Sequence, residues 1–270
     1  MASTPADLHL EHLRLDRRDD GVAVLTLDLP DRRNMMSAAM TASWTRAVEH
    51  LAGDAELRCV VVTGAGSAFC SGGDTTWIGA EPDADVAALR RRMIAFYRDW
   101  LAVRQLEVPT IAAVNGHAIG AGLALALACD LRVVAAEARL GVPFTALGMH
   151  AGMATTWSLP DVAGLAVARD LLLTGRLVDG EEAGRLGLAS RVVPAVEVLD
   201  VALETASAIA ANAPVATRLT TVALRGGGHA DYETALQWEA LAQAVTLATD
   251  DLQEGLAAQR ERRRPTFRGR

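Results

Sequence analysis

The sequence has few aromatic residues, only three cysteines and no excess of positive charge. Only 4% of its 270 residues are aromatic while 51% are hydrophobic, so alanine, leucine and valine must supply the core. Cys59, Cys70 and Cys129 lie in apolar or small-residue runs without CxxC or Cys/His spacing, which favours reduced, buried thiols. The net charge of −7 argues against nucleic-acid binding over the whole surface.

A targeting or membrane segment is not evident. Residues 1–7 lack the basic and apolar stretches of a signal peptide. The apolar run 110–129 is interrupted by Asn115 and His117 and weakened by glycines, so we interpret it as a strand followed by a helix. We therefore expect a soluble, cytoplasmic protein that does not contact a membrane.

Alternating strand and helix patterns along the chain predict an α/β core. Asp20-Gly21 marks a hairpin turn, and Ser37 and Asp179 are suitable N-caps for the helices that follow them. Strands are predicted near residues 8–15, 22–27, 59–63, 110–114 and 190–193. Helices are predicted near 38–51, 89–106, 122–129, 165–173, 180–182, 197–211, 215–225, 232–249 and 251–262, with a glycine linker at 226–228.

The segment Pro109–Thr156 has the densest pattern of possible function. A strand at 110–114 ends in Asn115-Gly116, and the small residues 120–122 precede a helix. The first N–H groups of a helix have no partner within it, and small residues allow a ligand to approach them closely. The pattern fits an oxyanion or anion site, and it fits equally a glycine-rich packing contact between helix and sheet.

A second glycine-rich stretch, Gly64-Ala65-Gly66, follows the predicted strand 59–63. A dinucleotide-binding fingerprint needs a third glycine at position 69, where Phe69 stands. No nucleotide cofactor is predicted here.

Several motifs in the same order along the chain resemble the crotonase family, the enoyl-CoA hydratase/isomerase superfamily. They are A-F-C-S-G-G-D at 68–74, A-A-V-N-G-H-A-I-G-A-G at 112–122, C-D-L-R at 129–132, A-R-L-G-V-P at 138–143, L-G-M-H-A-G at 147–152, L-T-G-R at 173–176, A-G-R-L-G-L-A-S-R-V-V-P at 183–194 and R-R-R-P-T-F at 262–267. The resemblance implies a crotonase-type spiral of ββα units. Residues 1–195 would form the core with the acyl-CoA site, and 196–270 a helical trimerisation region of the same structural unit.

The resemblance also implies an oxyanion hole made of the backbone N–H groups of Gly73 and Ala121. Two converging N–H donors can hold a thioester oxygen as it becomes an enolate. The neighbouring substrate-binding positions in the same two loops are Ser71, Gly72, Asp74 and Gly120. For Asp74 we favour a structural role in its loop over a role as catalytic base.

Coenzyme A would enter as part of the substrate, and no permanently bound cofactor or metal is implied. Arg33 lies directly before Asn34, in the segment that passes the adenine end of CoA in the family. Its guanidinium could meet a phosphate or be solvated in a polar loop. The irregular stretch 77–85 could form a wall over the acyl group.

Both carboxylates of ordinary hydratases are missing from this sequence. The resemblance places one glutamate at the second position after the last glycine of the turn, where Ala124 stands. It places the other directly after Gly141-Val142-Pro143, where Phe144 stands. Hydration of a double bond needs a base and an acid, and neither side chain can act as one.

Other polar residues are therefore weighed as the acid or base. His150, in the L-G-M-H-A-G loop, is the candidate because imidazole titrates near neutral pH, although a lone histidine is more often structural. His117 is assigned to packing or to facing pantetheine, and Thr145 to substrate binding. Thr155 and Glu239 are further candidates. No Ser/His/Asp order or metal-ligand cluster supports hydrolysis or metal catalysis.

Six arginines lie close to the C-terminus, at positions 260, 262, 263, 264, 268 and 270. They could be a solvated helix and tail, contact the CoA phosphates, or bind RNA.

The sequence thus predicts an acyl-CoA-processing enzyme with an oxyanion hole and non-standard acid/base residues, assembled as a homotrimer or hexamer. The alternatives are a CoA-thioester-binding protein without catalysis and an RNA-binding or assembly protein that uses the basic tail. The enzyme is favoured because Gly73 and Ala121 keep a catalytic element that binding alone does not require.

Overall fold

Ten strands form two sheets in the computed structural model, which describes residues 8–74, 85–227 and 231–270. The larger sheet has the order β1-β2-β3-β5-β7-β10, and the smaller has the order β4-β6-β8-β9. The strands are β1 Leu13–Arg17, β2 Val22–Leu27, β3 Cys59–Gly64, β4 Ala68–Cys70, β5 Thr110–Val114, β6 His117–Ile119, β7 Leu131–Ala135, β8 Arg139–Gly141, β9 Val178–Asp179 and β10 Arg191–Val193.

Helices surround these sheets and make up the C-terminal region. They are α1 Ala38–Ala52, α2 Val86–Leu101, α3 Ala121–Ala128, α4 Thr155–Thr174, α5 Gly180–Arg185, α6 Val198–Ala210, α7 Pro214–Val222, α8 Tyr232–Leu247 and α9 Asp250–Glu261. Helix α6 packs against β3, β5 and β7, whereas α7, α8 and α9 pack in sequence against one another. The mixed α/β fold with a helical C-terminal region agrees with the sequence-based prediction.

The larger sheet is parallel except for its first pair. β1 and β2 form the predicted antiparallel hairpin, and β2, β3, β5, β7 and β10 run parallel. Every residue of β2, β3 and β5 is buried, which is typical of parallel strands covered on both faces. Two neighbouring parallel strands must be joined by a long crossover segment. The loops of the site lie in these crossover segments.

Two of the predicted N-caps are confirmed in the structure. Ser37 Oγ accepts the N–H of Met40 at 3.2 Å, and Asp179 Oδ1 accepts that of Glu182 at 2.8 Å. Each side chain satisfies one of the N–H groups that a helix leaves without an internal partner. The sequence therefore located the starts of α1 and α5 correctly.

Other boundaries differ from the prediction for local reasons. Helix α4 begins at Thr155, well before the predicted start at Leu165. It contains Pro160 and a kink at Gly164, where the φ of 80° is not helical. The predicted helix corresponds to the segment after this kink. Helix α2 begins at Val86, where the Asp85 carboxylate accepts the N–H of Ala88 at 2.7 Å. Five strands, β4, β6, β7, β8 and β9, were not predicted. Four of them have only two or three residues, too few to show alternation, and the fifth, β7, is nearly all buried and shows none.

The predicted linker at 226–228 is also different. Ala223–Gly227 continue α7 as a π-helical turn, in which Gly226 has a φ of 124°. Position 228 lies outside the described residues.

One guanidinium joins this C-terminal turn to the sheet. Arg225 Nε donates to Asp130 Oδ1 at 2.7 Å, and its Nη2 donates to the Val108 carbonyl at 3.1 Å. Asp130 Oδ2 in turn accepts the backbone N–H of Thr110 at 2.7 Å. The Arg225 side chain is only 9% exposed. Removing this ion pair from water costs free energy, and the additional hydrogen bonds of both side chains offset that cost.

The buried side chain of Asn34 also joins separate segments of the chain by hydrogen bonds. Its Nδ2 donates to the carbonyls of Ala65 and Ala68 at 2.9 and 2.8 Å, and its Oδ1 accepts the N–H of Leu29 at 2.9 Å. Asn34 has a φ of 54°, a conformation that asparagine tolerates better than most residues. It therefore ties the loop after β2 to the loop that leads into β4.

The apolar run 110–129 is divided among β5, β6 and α3. Within the part of the chain that is described, no single helix is long and apolar enough to cross a membrane. One pair of helices, Ala195–Ala210 and Pro214–Gly226, passes that test together by length and composition, and the two are bent by 111° at their junction.

Candidate active site

Two small-residue loops are pressed together at the N-terminus of α3. A Cβ on Gly122 would lie 2.1 Å from the carbonyl oxygen of Cys70. A Cβ on Gly72, whose φ is 99°, would lie 2.7 Å from the Ile119 oxygen and 3.3 Å from Ala121 N. Only glycine permits this approach, so the backbones of 70–73 and 119–122 contact each other without side chains between them.

The two predicted oxyanion donors lie in these loops. Ala121 is the first residue of α3, so its N–H has no acceptor within the helix and sits at the positive end of the helix dipole. Met36 N donates to Gly72 O at 2.8 Å and forms an isolated parallel bridge with Gly73. In a parallel bridge of this kind, the N–H of Gly73 points away from Met36. The geometry is consistent with two backbone donors on adjoining loops.

Ala124 and Phe144 are the two residues of a proposed apolar wall of the site. Ala124 lies in α3 with 1% of its surface exposed. The half-buried Phe144 ring lies against the turn, with Cε1 3.7 Å from the position that a Cβ on Gly120 would occupy. Ala124 N donates to the Gly120 carbonyl at 3.1 Å, so both residues adjoin the turn at Gly120, and neither side chain can carry a proton.

The predicted histidines have other contacts. His150 is exposed, and its Nδ1 lies 2.7 Å from the carbonyl oxygen of Ala151. His117 is also exposed, and its Nδ1 accepts the backbone N–H of Arg139 at 3.1 Å. These contacts fix each Nδ1 and leave Nε2 as the only nitrogen for exchange with a ligand.

The two threonines near the site also have backbone partners. Thr145 Oγ1 is exposed and donates to the Leu172 carbonyl at 3.2 Å. Thr155 is fully buried and its Oγ1 donates to the Gly152 carbonyl at 2.8 Å. Each hydroxyl proton is therefore already used within the protein.

The polar residues of the first loop support its shape. Ser71 N donates to the Arg33 carbonyl at 2.9 Å, and its Oγ lies 3.4 Å from the Arg32 carbonyl. The Arg33 side chain is exposed, and Asp74 is half-buried directly after Gly73. Of the predicted wall 77–85, residues 77–84 lie outside the described residues.

Glu239 stands apart from the loops. It is exposed on α8 and lines a cavity of about 600 Å³ together with residues of α7 and α8. The residues described around Gly73 and Ala121 do not line this cavity. Within one chain, the structure does not bring Glu239 to the oxyanion donors.

Cysteine and metal chemistry receive no support at this site. All three cysteines are buried and free, as predicted. Burial raises the pKa of Cys59, Cys70 and Cys129 to about 12, so each remains a thiol at neutral pH. Over the ranges 8–74, 85–227 and 231–270, no group of three or more His, Cys, Asp or Glu side chains could hold a metal ion.

One polar residue near the loops was missed from the sequence. The Tyr97 hydroxyl lies next to Gly152, in the loop that joins Phe144 to α4. No motif surrounds Tyr97, and the sequence placed it only within the predicted helix 89–106. Nothing in the sequence reveals which loop the helix faces, so this contact could not be predicted.

Known proteins with the same fold are numerous. The family model described as enoyl-CoA hydratase/isomerase matches residues 17–270. A putative enoyl-CoA hydratase of Thermus thermophilus is 40% identical over 91% of this chain and 97% of its own length. Methylglutaconyl-CoA hydratase of Rattus norvegicus is 33% identical over 98% of this chain and 84% of its own length.

Solved structures lead to the same class. An enoyl-CoA hydratase of Bacillus anthracis superposes with a TM-score of 0.90 at 34% identity, covering 96% of this chain and 100% of that one. A putative enoyl-CoA hydratase of Streptomyces coelicolor gives a TM-score of 0.91 at 33% identity, covering 100% and 98%. Fold and site thus define a crotonase-type protein. Within that class, the chain belongs to the enoyl-CoA hydratase/isomerase family.

The contact between the two loops can be tested at Gly122. Gly122→Ala places a carbon 2.1 Å from the Cys70 oxygen, and because both partners are backbone, the loops must move apart. We expect a loss of about 1–3 kcal/mol in the free energy of unfolding, measured by urea denaturation. Gly53→Ala is the control, because its new Cβ would meet its nearest neighbour, His50 O, at an ordinary 3.6 Å. Equal stability of the two variants would contradict the tight contact.

Proposed function

We propose that the protein is an acyl-CoA-processing enzyme that stabilises a thioester enolate in an oxyanion hole formed by Gly73 N–H and Ala121 N–H. The observation that carries the proposal is the side-chain-free contact between the loops that hold these two donors. The names of the relatives, which are enoyl-CoA and methylglutaconyl-CoA hydratases, support a CoA thioester as the substrate.

The electrostatics of the site suit this chemistry. As an enolate forms, negative charge moves from the α-carbon onto the thioester oxygen. Two fixed N–H donors and the N-terminus of α3 stabilise that charge without reorganising, and buried surroundings strengthen the effect. The proton must be moved by a group other than residues 124 and 144, because alanine and phenylalanine do not titrate. His150 Nε2 remains the proposed acid or base.

An RNA-binding role of the basic tail is not favoured. The buried carboxylate of Asp251 accepts the backbone N–H groups of Arg268 and Gly269 at 2.7 and 2.8 Å. Arg263 forms ion pairs with Glu254 and Glu261, both at 2.6 Å. The tail is thus folded back against α9, and part of its positive charge is already neutralised.

We also propose that the chain assembles through its C-terminal helices into a homotrimer, which could pair into a hexamer. Large apolar side chains on α8 stay exposed in the single chain, at 64% for Leu241 and 59% for Leu247. Exposed leucines on one helix are unfavourable in water and are typical of a surface that a further subunit covers.

Light scattering tests the assembly. We expect the mass of three or six chains at micromolar concentration, because burying these leucines stabilises the association. Leu241→Glu should shift the mass toward the monomer, whereas the exposed polar change Gln243→Glu on the same helix should leave it unchanged. A wild-type protein that is only monomeric would refute the proposal.

The missing carboxylates lead to a kinetic prediction. We expect the protein to hydrate crotonyl-CoA at least ~10²-fold more slowly than an ordinary hydratase, because each positioned acid or base contributes about 10²–10⁴-fold. The rate is measured from the loss of the enoyl absorbance. Hydration at the speed of an ordinary hydratase would contradict the account.

A double variant tests whether the water site survives. Ala124→Glu with Phe144→Glu should raise the hydration rate if the scaffold still positions water, although untuned carboxylates in an apolar wall limit the gain. The matched control, Ala124→Gln with Phe144→Gln, has the same size without a titratable group and should not raise it. If the glutamate variant folds, binds crotonyl-CoA and shows no gain, the site serves a different reaction from hydration.

A further inference from the structure

Tyr97 is held in place by the aromatic packing of α2. On the inward side of this helix, Trp100 stacks on Trp44 of α1 with ring centroids 5.0 Å apart, and its Nε1 donates to Thr41 Oγ1 at 3.0 Å. Phe96 packs edge-on against Tyr97 at 6.3 Å. These contacts fix the rotation of α2, so the direction of the Tyr97 side chain is set by the core.

The phenol reaches the loop that carries the apolar wall of the site. A Cβ on Gly152 would lie 2.6 Å from the Tyr97 oxygen, so the hydroxyl sits directly over this glycine. At the other end of the loop, Phe144 packs against Gly120 of the oxyanion turn. The Phe144 carbonyl accepts the N–H of Met149 at 2.9 Å, which folds the loop back on itself. One short loop therefore connects the oxyanion turn to Tyr97.

The far end of this loop has an unusual backbone. Met153 and Ala154 have φ values of 52° and 55°, in the left-handed region that side chains other than glycine and asparagine avoid. Such strain persists only where the surroundings hold it, and Thr155 Oγ1, bonded to the Gly152 carbonyl at 2.8 Å, is one such restraint. The surface beneath the Tyr97 hydroxyl is thus rigid.

Tyr97 has a proton to offer in this position. Burial raises the pKa of the half-buried phenol, and the backbone N–H of Met153 acts in the opposite direction. The phenol is therefore protonated at neutral pH. Because the phenol oxygen accepts the Met153 N–H, its own proton is left to donate, whereas Thr145 and Thr155 already donate to backbone carbonyls.

We propose that Tyr97 determines substrate specificity: its hydroxyl donates a hydrogen bond to an oxygen on the acyl chain, beyond the thioester carbonyl. The substrate class is then acyl-CoA thioesters whose chain carries a hydroxyl or carbonyl oxygen, in preference to plain alkyl chains. A half-buried donor without a partner costs free energy, so a site built around one discriminates against a ligand that leaves it unpaired. The inference rests on the proposed acyl-CoA function of the same site.

Calorimetry with matched ligands tests this specificity. The probes are butyryl-CoA against 3-hydroxybutyryl-CoA and hexanoyl-CoA against 5-hydroxyhexanoyl-CoA, which place the oxygen at two distances from the thioester. We expect the wild-type protein to bind the hydroxylated member of at least one pair about tenfold more tightly. Tyr97→Phe should abolish that ratio while leaving the affinity for the alkyl thioester nearly unchanged. Tyr232→Phe is the control, because Tyr232 is 81% exposed on α8.

A second variant moves the hydroxyl without removing it. Gly152→Ala introduces a methyl group 2.6 Å from the phenol oxygen and 3.1 Å from Cζ, so the hydroxyl and the loop beneath it must move apart. We expect the same loss of ratio as in Tyr97→Phe, so the test stands even if one variant fails to fold.

The possible failures are distinguishable. If wild-type protein binds no acyl-CoA, the proposed function is refuted, and this inference with it. If acyl-CoAs bind but the wild type shows no preference in either pair, or Tyr97→Phe keeps the wild-type ratio, the role of Tyr97 alone is refuted.

Discussion

The contact between the Cys70 carbonyl and Gly122 is the constraint on which the rest of the site depends. No side chain fits there, since even a Cβ would come within 2.1 Å of the Cys70 oxygen. The contact brings the end of β4 against the first turn of α3 and so places Gly72 beside Ala121 N. Asn34 and the Met36–Gly73 bridge hold the loop from the other side. A backbone arrangement of this kind survives changes in the surrounding side chains, because it uses only main-chain atoms.

We propose that this independence lets the chain keep the oxyanion loops although Ala124 and Phe144 stand where the family resemblance places the two carboxylates. Alanine and phenylalanine at positions 124 and 144 cannot transfer protons or activate water. They do not affect the contact between the loops, which uses only main-chain atoms. The stabilisation of a thioester enolate can thus persist while the reaction that follows changes. We propose that two polar residues outside this wall, His150 and Tyr97, take the roles in proton transfer and substrate recognition that Ala124 and Phe144 cannot fill.

The sequence predicted what depends on local pattern. The hairpin at Asp20-Gly21, the caps Ser37 and Asp179, and the strand–turn–helix at 110–128 each follow from a few neighbouring residues, and the structure agrees. It did not predict β6 or β8, which are stable only because they pair across the second sheet. The approach of Tyr97 to Gly152 depends on the rotation of α2, which is set by the stacking of Trp100 on Trp44, residues far apart in sequence. Such contacts are properties of the packed molecule and leave no pattern in the chain.

The crystal structure of a complex with butyryl-CoA tests the central claim most directly. The account predicts that the thioester carbonyl oxygen lies about 3 Å from both Gly73 N and Ala121 N, with the acyl chain running past Phe144 toward Tyr97. A thioester oxygen more than ~4 Å from both nitrogens, beyond hydrogen-bond reach, would contradict it.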